Sequence, residues 1–211
     1  VIDPVSGALG SGDSGIGRLP APEEIARRAL AILGGSDEAA VGTSLAGKTL
    51  VVTAGGTREP IDPVRFLGNK SSGRQGLAIA AAAARAGARV RVIAANIDDS
   101  VMACLPSSVE VTRVGSAQQM REATLAQVRG ADALVMTAAV ADFRPEATHA
   151  SKMKKDPMTV DAPTLRLVRN PDILSEVGHG PHRPPIVIGF AAETGTDEEI
   201  LAYGADKDAR K

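Results

Sequence analysis

Ser71-Ser72-Gly73-Arg74-Gln75-Gly76 opens an alanine-rich run that reads as a helix, and this start is the strongest local chemical signal in the chain. The first amides of a helix lack carbonyl partners and its dipole leaves partial positive charge there, so the backbone can hold a phosphate. The plainer alternative is that Ser71 or Ser72 caps the helix. Gly55-Gly56 close a short apolar run; residues this small let a backbone approach a ligand, and Thr57-Arg58-Glu59 behind them can orient it. Lys152-Met153-Lys154-Lys155 lie in a polar stretch, where three ammonium groups could neutralise a triphosphate, although such a run taken alone is ordinary solvated surface. Asp142 follows another apolar run, where its carboxylate could help hold Mg2+ beside phosphates or could cap the next turn.

Other chemistries find little support. Gly55-Gly56 lack the G-x-G-x-x-G spacing of dinucleotide-binding folds, and Asn96 stands where an acidic residue would hold the ribose. A nicotinamide-dependent reductase would also want a Tyr-x-x-x-Lys pair, which Tyr203 and Lys207 supply only formally, late in the chain. No G-x-S-x-G elbow and no G-x-x-x-x-G-K-[ST] loop occurs. His149, His179 and His182 have no metal-ligand spacing and read as surface residues. Cys104, the single cysteine, has apolar neighbours and no adjacent His or Lys to activate it, so a buried structural role is expected.

The elements that must position these residues follow from hydrophobic patterning. Lys48 begins a domain whose first strand is TLVVTA; a helix over Leu77 to Ala86 follows, then strands at Ala88 to Ala94 and Val109 to Val114. A helix at Ala117 to Val128 leads to a strand at Ala133 to Ala139. This alternation predicts an α/β fold, a Rossmann-like open, mainly parallel sheet with helices on both faces. Ligands then bind beyond the carboxyl ends of the strands. Phe143 to Pro163 is too polar for core and too long for an ordinary connection, as lids are. Leu165 to Val168 and Pro185 to Ala191 read as further strands, with one helix opening near Pro171 and a last near Asp197. Upstream, Val1 to Pro22 is rich in Gly, Ser and Pro and reads as an irregular loop, Glu23 to Leu33 as a helix, and Gly34 to Gly47 as a linker.

The 211 residues suit one main domain. A net charge of -1 offers no broad field for a nucleic-acid or acidic-membrane partner, so an anion site must be local. No signal peptide or long apolar span is read, and the cytoplasm is the default.

Residues 55–73, GGTREPIDPVRFLGNKSSG, closely resemble the signature of the phosphopantothenate-cysteine ligase family, also called phosphopantothenoylcysteine synthetases. Ala138 to Arg144, the Lys152 to Lys155 cluster, Asn170-Pro171-Asp172-Ile173-Leu174 and Gly189 to Thr194 occur in the family's order. The likeness runs from about Lys48 to the end. It implies an acyl-cytidylate mechanism. The carboxylate of 4'-phosphopantothenate attacks the α-phosphate of CTP, pyrophosphate leaves, and the amine of L-cysteine then displaces CMP. Base choice between CTP and ATP is not readable from the residues.

By motif position the resemblance implies that Asn69 touches phosphopantothenate or the acyl-cytidylate and that Arg65 steadies the same region. Lys152 reaches the nucleotide from the lid, completing the catalytic set. Nucleotide binding falls to Gly55, Gly56, Ser71, Ser72 and Gly73; to the backbone of Met136, Thr137 and Ala138; and to Pro171, Asp172, Ile173 and Leu174, with Asp172 on the ribose. Phe190 flanks the base or its sugar, Lys207 and Lys211 contact the nucleotide, and Asp142 lies near Mg2+ or another divalent cation. The family is a homodimer, with Ile61 to Leu67 as part of its interface. In bacteria the ligase is commonly the C-terminal half of a bifunctional protein whose N-terminal half is a flavin-dependent decarboxylase. Residues 1–46 accordingly resemble that half's tail plus a linker, with Ser11 about where a catalytic cysteine is usual, and residues 47–211 the ligase domain. No flavin and no decarboxylation are expected from this stretch. The family continues past Lys211, which leaves a non-catalytic nucleotide-binding or dimerisation module as the rival expectation.

Overall fold

The structure, a computed structural model, describes residues 5–8, 14–18, 20–22, 24, 25, 28, 44–154, 163–191 and 196. Strands β1 (Val5–Ala8) and β2 (Ser14–Arg18) pair antiparallel. This corrects the expectation of an irregular loop over Val1 to Pro22. A glycine- and serine-rich stretch has no apolar alternation to announce a strand, yet its backbone donors and acceptors can satisfy one another across a hairpin. Pro22, Glu24, Ile25 and Arg28 are helical, in keeping with the helix expected from Glu23, which opens one residue earlier. The rest of that helix and the one expected near Asp197 lie outside the described residues.

Then come β3 (Thr49–Gly55), a hairpin of β4 (Arg58–Pro60) and β5 (Phe66–Gly68), helix α1 (Arg74–Arg85) and β6 (Arg89–Ala95). Short α2 (Asp99–Met102), β7 (Glu110–Val114), α3 (Ala117–Gln127) and β8 (Ala133–Met136) follow. The last described elements are β9 (Phe143–Pro145), β10 (Leu167–Arg169), α4 (Ile173–Gly178) and β11 (Ile186–Gly189). Five strands form one sheet in the order β11-β8-β3-β6-β7, every neighbouring pair parallel. The expected fold class is therefore observed. The strand expected at Leu165 to Val168 sits instead at Leu167–Arg169 and pairs antiparallel with β9, outside the main sheet.

The two-residue repeat of β3 divides the core. Leu50, Val52 and Ala54 face one layer with Leu77, Ile79, Ala80 and Ala83 of α1. Val51 faces the other with Ile93, Leu134 and Met136, covered by Met120 of α3 and by Ile173 and Val177 of α4. Full burial of the Val, Leu, Ile and Met side chains among these is worth roughly 1.5–3 kcal/mol each. Arg121 on α3 donates from Nε to Glu176 Oε2 on α4 at 2.6 Å, which fixes the two helices of that layer to each other.

Candidate functional site

From β3 the chain winds outward through β6 to β7, and from β8 it winds the other way to β11. The crossovers diverge at the β3–β8 junction and leave a crevice beyond the carboxyl ends of those strands, the usual ligand position in open parallel sheets. Several of the candidate residues gather there. Gly56 bridges Ala139 in parallel register. Ala139 N donates to Gly55 O at 2.8 Å and Thr57 N to Ala139 O at 3.2 Å, so the two loops are sewn together past the strand ends. Gly55 has φ 87°, and a Cβ there would lie 2.0 Å from Ala95 O, so both backbone shape and space demand glycine.

The start of α1 abuts this junction. Its N-cap is Gly73, left-handed at φ 75°, with no side-chain cap hydrogen bond. Among the described residues Ser71 Oγ accepts from Gly73 N alone, at a long 3.4 Å, so the alternative that Ser71 or Ser72 caps the helix is overturned. The first-turn amides are left to another acceptor. A Cβ on Gly76 would sit 2.4 Å from Thr137 Oγ1 and 2.6 Å from Ala54 Cβ, which shows how tightly the first turn rides on the sheet. Thr137 Oγ1 donates to Thr53 O at 2.6 Å, and Ala138 N donates to Thr53 Oγ1 at 3.3 Å.

Around this centre, Asn69 Nδ2 donates to Val140 O at 3.2 Å, joining the segment before α1 to the loop after β8. Asn170 Nδ2 donates to Ala141 O at 2.8 Å and Asn170 N to Asp142 O at 2.8 Å, so Pro171 is delivered beside the same loop while the side chain of Asp142 stays exposed. Asp172 is the N-cap of α4, its Oδ1 accepting from Ser175 N at 3.0 Å. Ile173 is buried in the core, and Leu174 fills the space above Gly189, where a Cβ would be 2.4 Å away. Half-buried Phe190 donates its N–H to Met136 O at 3.0 Å, placing it over the end of β8.

Arg65 is engaged elsewhere. Its Nε donates to Asp62 Oδ2 at 2.8 Å, and its Nη2 reaches Met153 O at 2.9 Å. Lys152 and Lys154, either side of Met153, are exposed. Burial alone would push the Asp62 carboxyl up, but the Arg65 guanidinium and the amides of Val64, Met153 and Arg65 together hold it well below the usual carboxylate range. Lys155, Lys207 and Lys211, with Ala192 to Thr194, lie outside the described residues.

Two residues with clear structural duties are given no bond or duty of their own by the sequence. Asn96, at φ 49°, donates from Nδ2 to Gly56 O at 2.9 Å and to Gly115 O at 2.8 Å, bracing the glycine loop. Asp62, 3% exposed, is the buried hub of the β4–β5 turn; the Asp62-Pro63-Val64-Arg65 run after Pro60 is a turn signature that could have shown it. Glu59 belongs to the scaffold, its Oε1 accepting from Ala117 N at 2.9 Å at the start of α3. The histidines are exposed as expected. Cys104 is exposed too, against the expected burial, because one turn of helix at α2 is too short to fold its successor into the core.

Known proteins share this arrangement. The sequence signature of the DNA/pantothenate metabolism flavoprotein C-terminal domain matches residues 45–211. The chain is 48% identical over 218 residues to the Coenzyme A biosynthesis bifunctional protein CoaBC of Mycobacterium tuberculosis (strain ATCC 25618 / H37Rv), covering 100% of this chain and 50% of that protein. Against CoaBC of Bacillus subtilis (strain 168) it is 42% identical over 210 residues, covering 100% of this chain and 48% of the relative. The chain thus spans about half the length of the curated relatives it matches. The crystal structure of the C-terminal domain of a CoaBC superposes with a TM-score of 0.62 at 37% identity, over 77% of this chain and 74% of that one. Signature, relatives and fold agree, and the chain belongs to the DNA/pantothenate metabolism flavoprotein C-terminal domain family.

Proposed function

We propose that the chain is a phosphopantothenate-cysteine ligase that activates 4'-phosphopantothenate with CTP and joins it to L-cysteine in coenzyme A biosynthesis. The observation that carries this is the uncapped start of α1 set against the β3–β8 crevice, with Asn69 bonded across it to Val140. Unpartnered amides at a helix start suit a phosphate. The loop of Met136, Thr137 and Ala138 supplies backbone beside it, and Gly55 and Gly56 keep that approach open.

In the first step a carboxylate oxygen of phosphopantothenate bonds to the α-phosphorus, the α–β P–O bond breaks, and pyrophosphate leaves. In the second, the cysteine amine bonds to the acyl carbon, the C–O bond to CMP breaks, and the amine proton is released as the amide forms. The chain's task is to hold two anions that repel each other in attacking geometry. Ser71 to Gly73 take the phosphates, Asn69 the activated carboxyl, and Lys152, with Lys207 and Lys211, the nucleotide. Asp172 and Phe190 take the ribose and base side.

A Mg2+ or similar ion would use Asp142 as its protein carboxylate, since Mg2+ keeps water and phosphate oxygens in most of its shell. Among the described residues no group of three or more His, Cys, Asp or Glu could hold a metal ion. When bound, it would neutralise charge on the phosphates.

The same reading makes residues 1–46 the end of a flavin-dependent decarboxylase half and the working protein cytoplasmic. It also makes the protein a homodimer, with the exposed Val64, Phe66 and Leu67 in the interface. The test is pyrophosphate release from CTP. Release that requires phosphopantothenate, followed by CMP release on adding cysteine, is expected. Release without phosphopantothenate, or none in the full-length protein, would sink the proposal. Asn69→Asp should leave CTP affinity within about threefold and slow turnover, and unchanged kinetics would remove Asn69 from the site.

A further inference from the structure

The lysine-bearing segment is laid along the β4–β5 turn by successive ties. Thr148 Oγ1 donates to Pro60 O at 3.2 Å and His149 N to Ile61 O at 2.9 Å. Met153 N donates to Asp62 Oδ2 at 3.2 Å, while Arg65 Nη2 donates to Met153 O at 2.9 Å. The last two grip one residue by both its amide and its carbonyl, and that residue separates Lys152 from Lys154.

Asp62 is unusual in how fully it is used. Its side chain has no solvent exposure. Oδ1 accepts from Val64 N and Arg65 N, each at 2.9 Å. Oδ2 accepts from Arg65 Nε and Nη2 and from Met153 N. A carboxylate can take donors on both oxygens, whereas an amide has one accepting oxygen and replaces the other with a nitrogen that only donates. Only the acid can therefore close the turn and hold the segment at once.

We infer that Asp62 and Arg65 are positioning residues: a buried clasp that fixes the backbone at Met153 so that Lys152 and Lys154 are presented to the nucleotide. This rests on the CTP-binding role proposed above. In it Arg65 acts through Met153, in place of the direct part in catalysis that the family resemblance implies. Lys152 and Lys154 lie on strandless backbone, so without the clasp their ammonium groups would be spread over many positions. The loss would then fall on binding more than on the chemical step.

The experiment uses the full-length protein with Asp62→Asn and Arg65→Gln. Two readouts are taken: KM and kcat for CTP, and the rate of tryptic cleavage after Lys152 and Lys154 in the absence of ligand. The clasp predicts at least a tenfold rise in KM for CTP with kcat within about threefold, together with several-fold faster cleavage, in Asp62→Asn. Arg65→Gln, which keeps the three backbone amides on Asp62, should show a smaller change in both and remains readable if Asp62→Asn fails to fold. Arg65→Lys should not restore KM, because an ammonium lacks the fork that spans Asp62 and the Met153 carbonyl. Unchanged cleavage overturns the clasp. Faster cleavage with unchanged KM, or a fall confined to kcat, overturns its link to the nucleotide. A wild-type protein that does not use CTP fails the ligase proposal, while the cleavage arm still reads the clasp.

Discussion

Single atoms decide whether the crevice stays open. Gly55 and Gly73 both have backbone shapes that side chains resist, and an added methyl at Gly55 would overlap Ala95 O. Gly55→Ala should therefore destabilise the fold by several kcal/mol, more than the roughly 1 kcal/mol usual for a point mutation. It should also displace the loop that meets Ala139. Urea unfolding together with CTP titration checks this, and a variant of native stability and affinity would mean the loop is not held as described. Asn96 shows how side-chain type matters at this scale. Its one amide nitrogen serves two carbonyls, a duty the acidic residue of a dinucleotide fold could not perform.

Glu59 connects the β4–β5 hairpin to α3, complementing the capping box made by Ser116 and Gln119. Glu59→Ala should cost about 1–3 kcal/mol by leaving the Ala117 amide buried and unpaired. Glu59→Gln, which keeps an acceptor oxygen, should cost less. Thermal unfolding of both variants tests this, and equal losses would show that the amide is not the cause. The main elements were legible because each is a buried run with a clear period. Strands β3, β6 and β8 were read within a few residues, as was α1. The antiparallel pairs were not: β4–β5 was read as a stretch outside the sheet, and β1–β2 and β9–β10 were missed as pairs. Such short strands are held by backbone pairing and by side chains from distant segments, which leave no periodicity to read. At the site, the family likeness pointed to positions, Gly55, Gly73 and Thr137 among them, that the fold sets side by side at the β3–β8 strand ends. It could not show that Arg65 reaches the Met153 carbonyl, because that depends on a contact across 88 positions of sequence.

Across the whole molecule, several carboxylates hold the layers together in ionised form. The Thr49 amide and Lys48 lower the Asp132 carboxyl, the Arg121 guanidinium lowers Glu176, and Asp62 is lowered despite its burial. A group whose folded pKa lies below its unfolded value binds fewer protons when folded, so its stabilisation is complete above the unfolded value, near 4, and is lost as pH falls through the folded one. The urea midpoint should therefore be flat from about pH 7 to 5 as far as these groups are concerned, and should fall steadily below about pH 4. Arg121→Met should start lower and show a shallower acid slope, since Glu176 would no longer contribute. An unchanged slope would mean that this ion pair does not couple α3 to α4.

The bare position at Gly76 has a consequence for engineering this fold. Because α1 rests on Thr53, Ala54 and Thr137 with no room for a methyl group, the spacing between its leading amides and the sheet is set by backbone bulk. On the proposed phosphate-binding role, trimming exposed side chains such as Ser72 or Arg74 should then leave an inorganic anion registered at the same depth. Replacing Gly76 with alanine would lift that end of the rod and move the anion away from its neighbours, even with every polar contact retained.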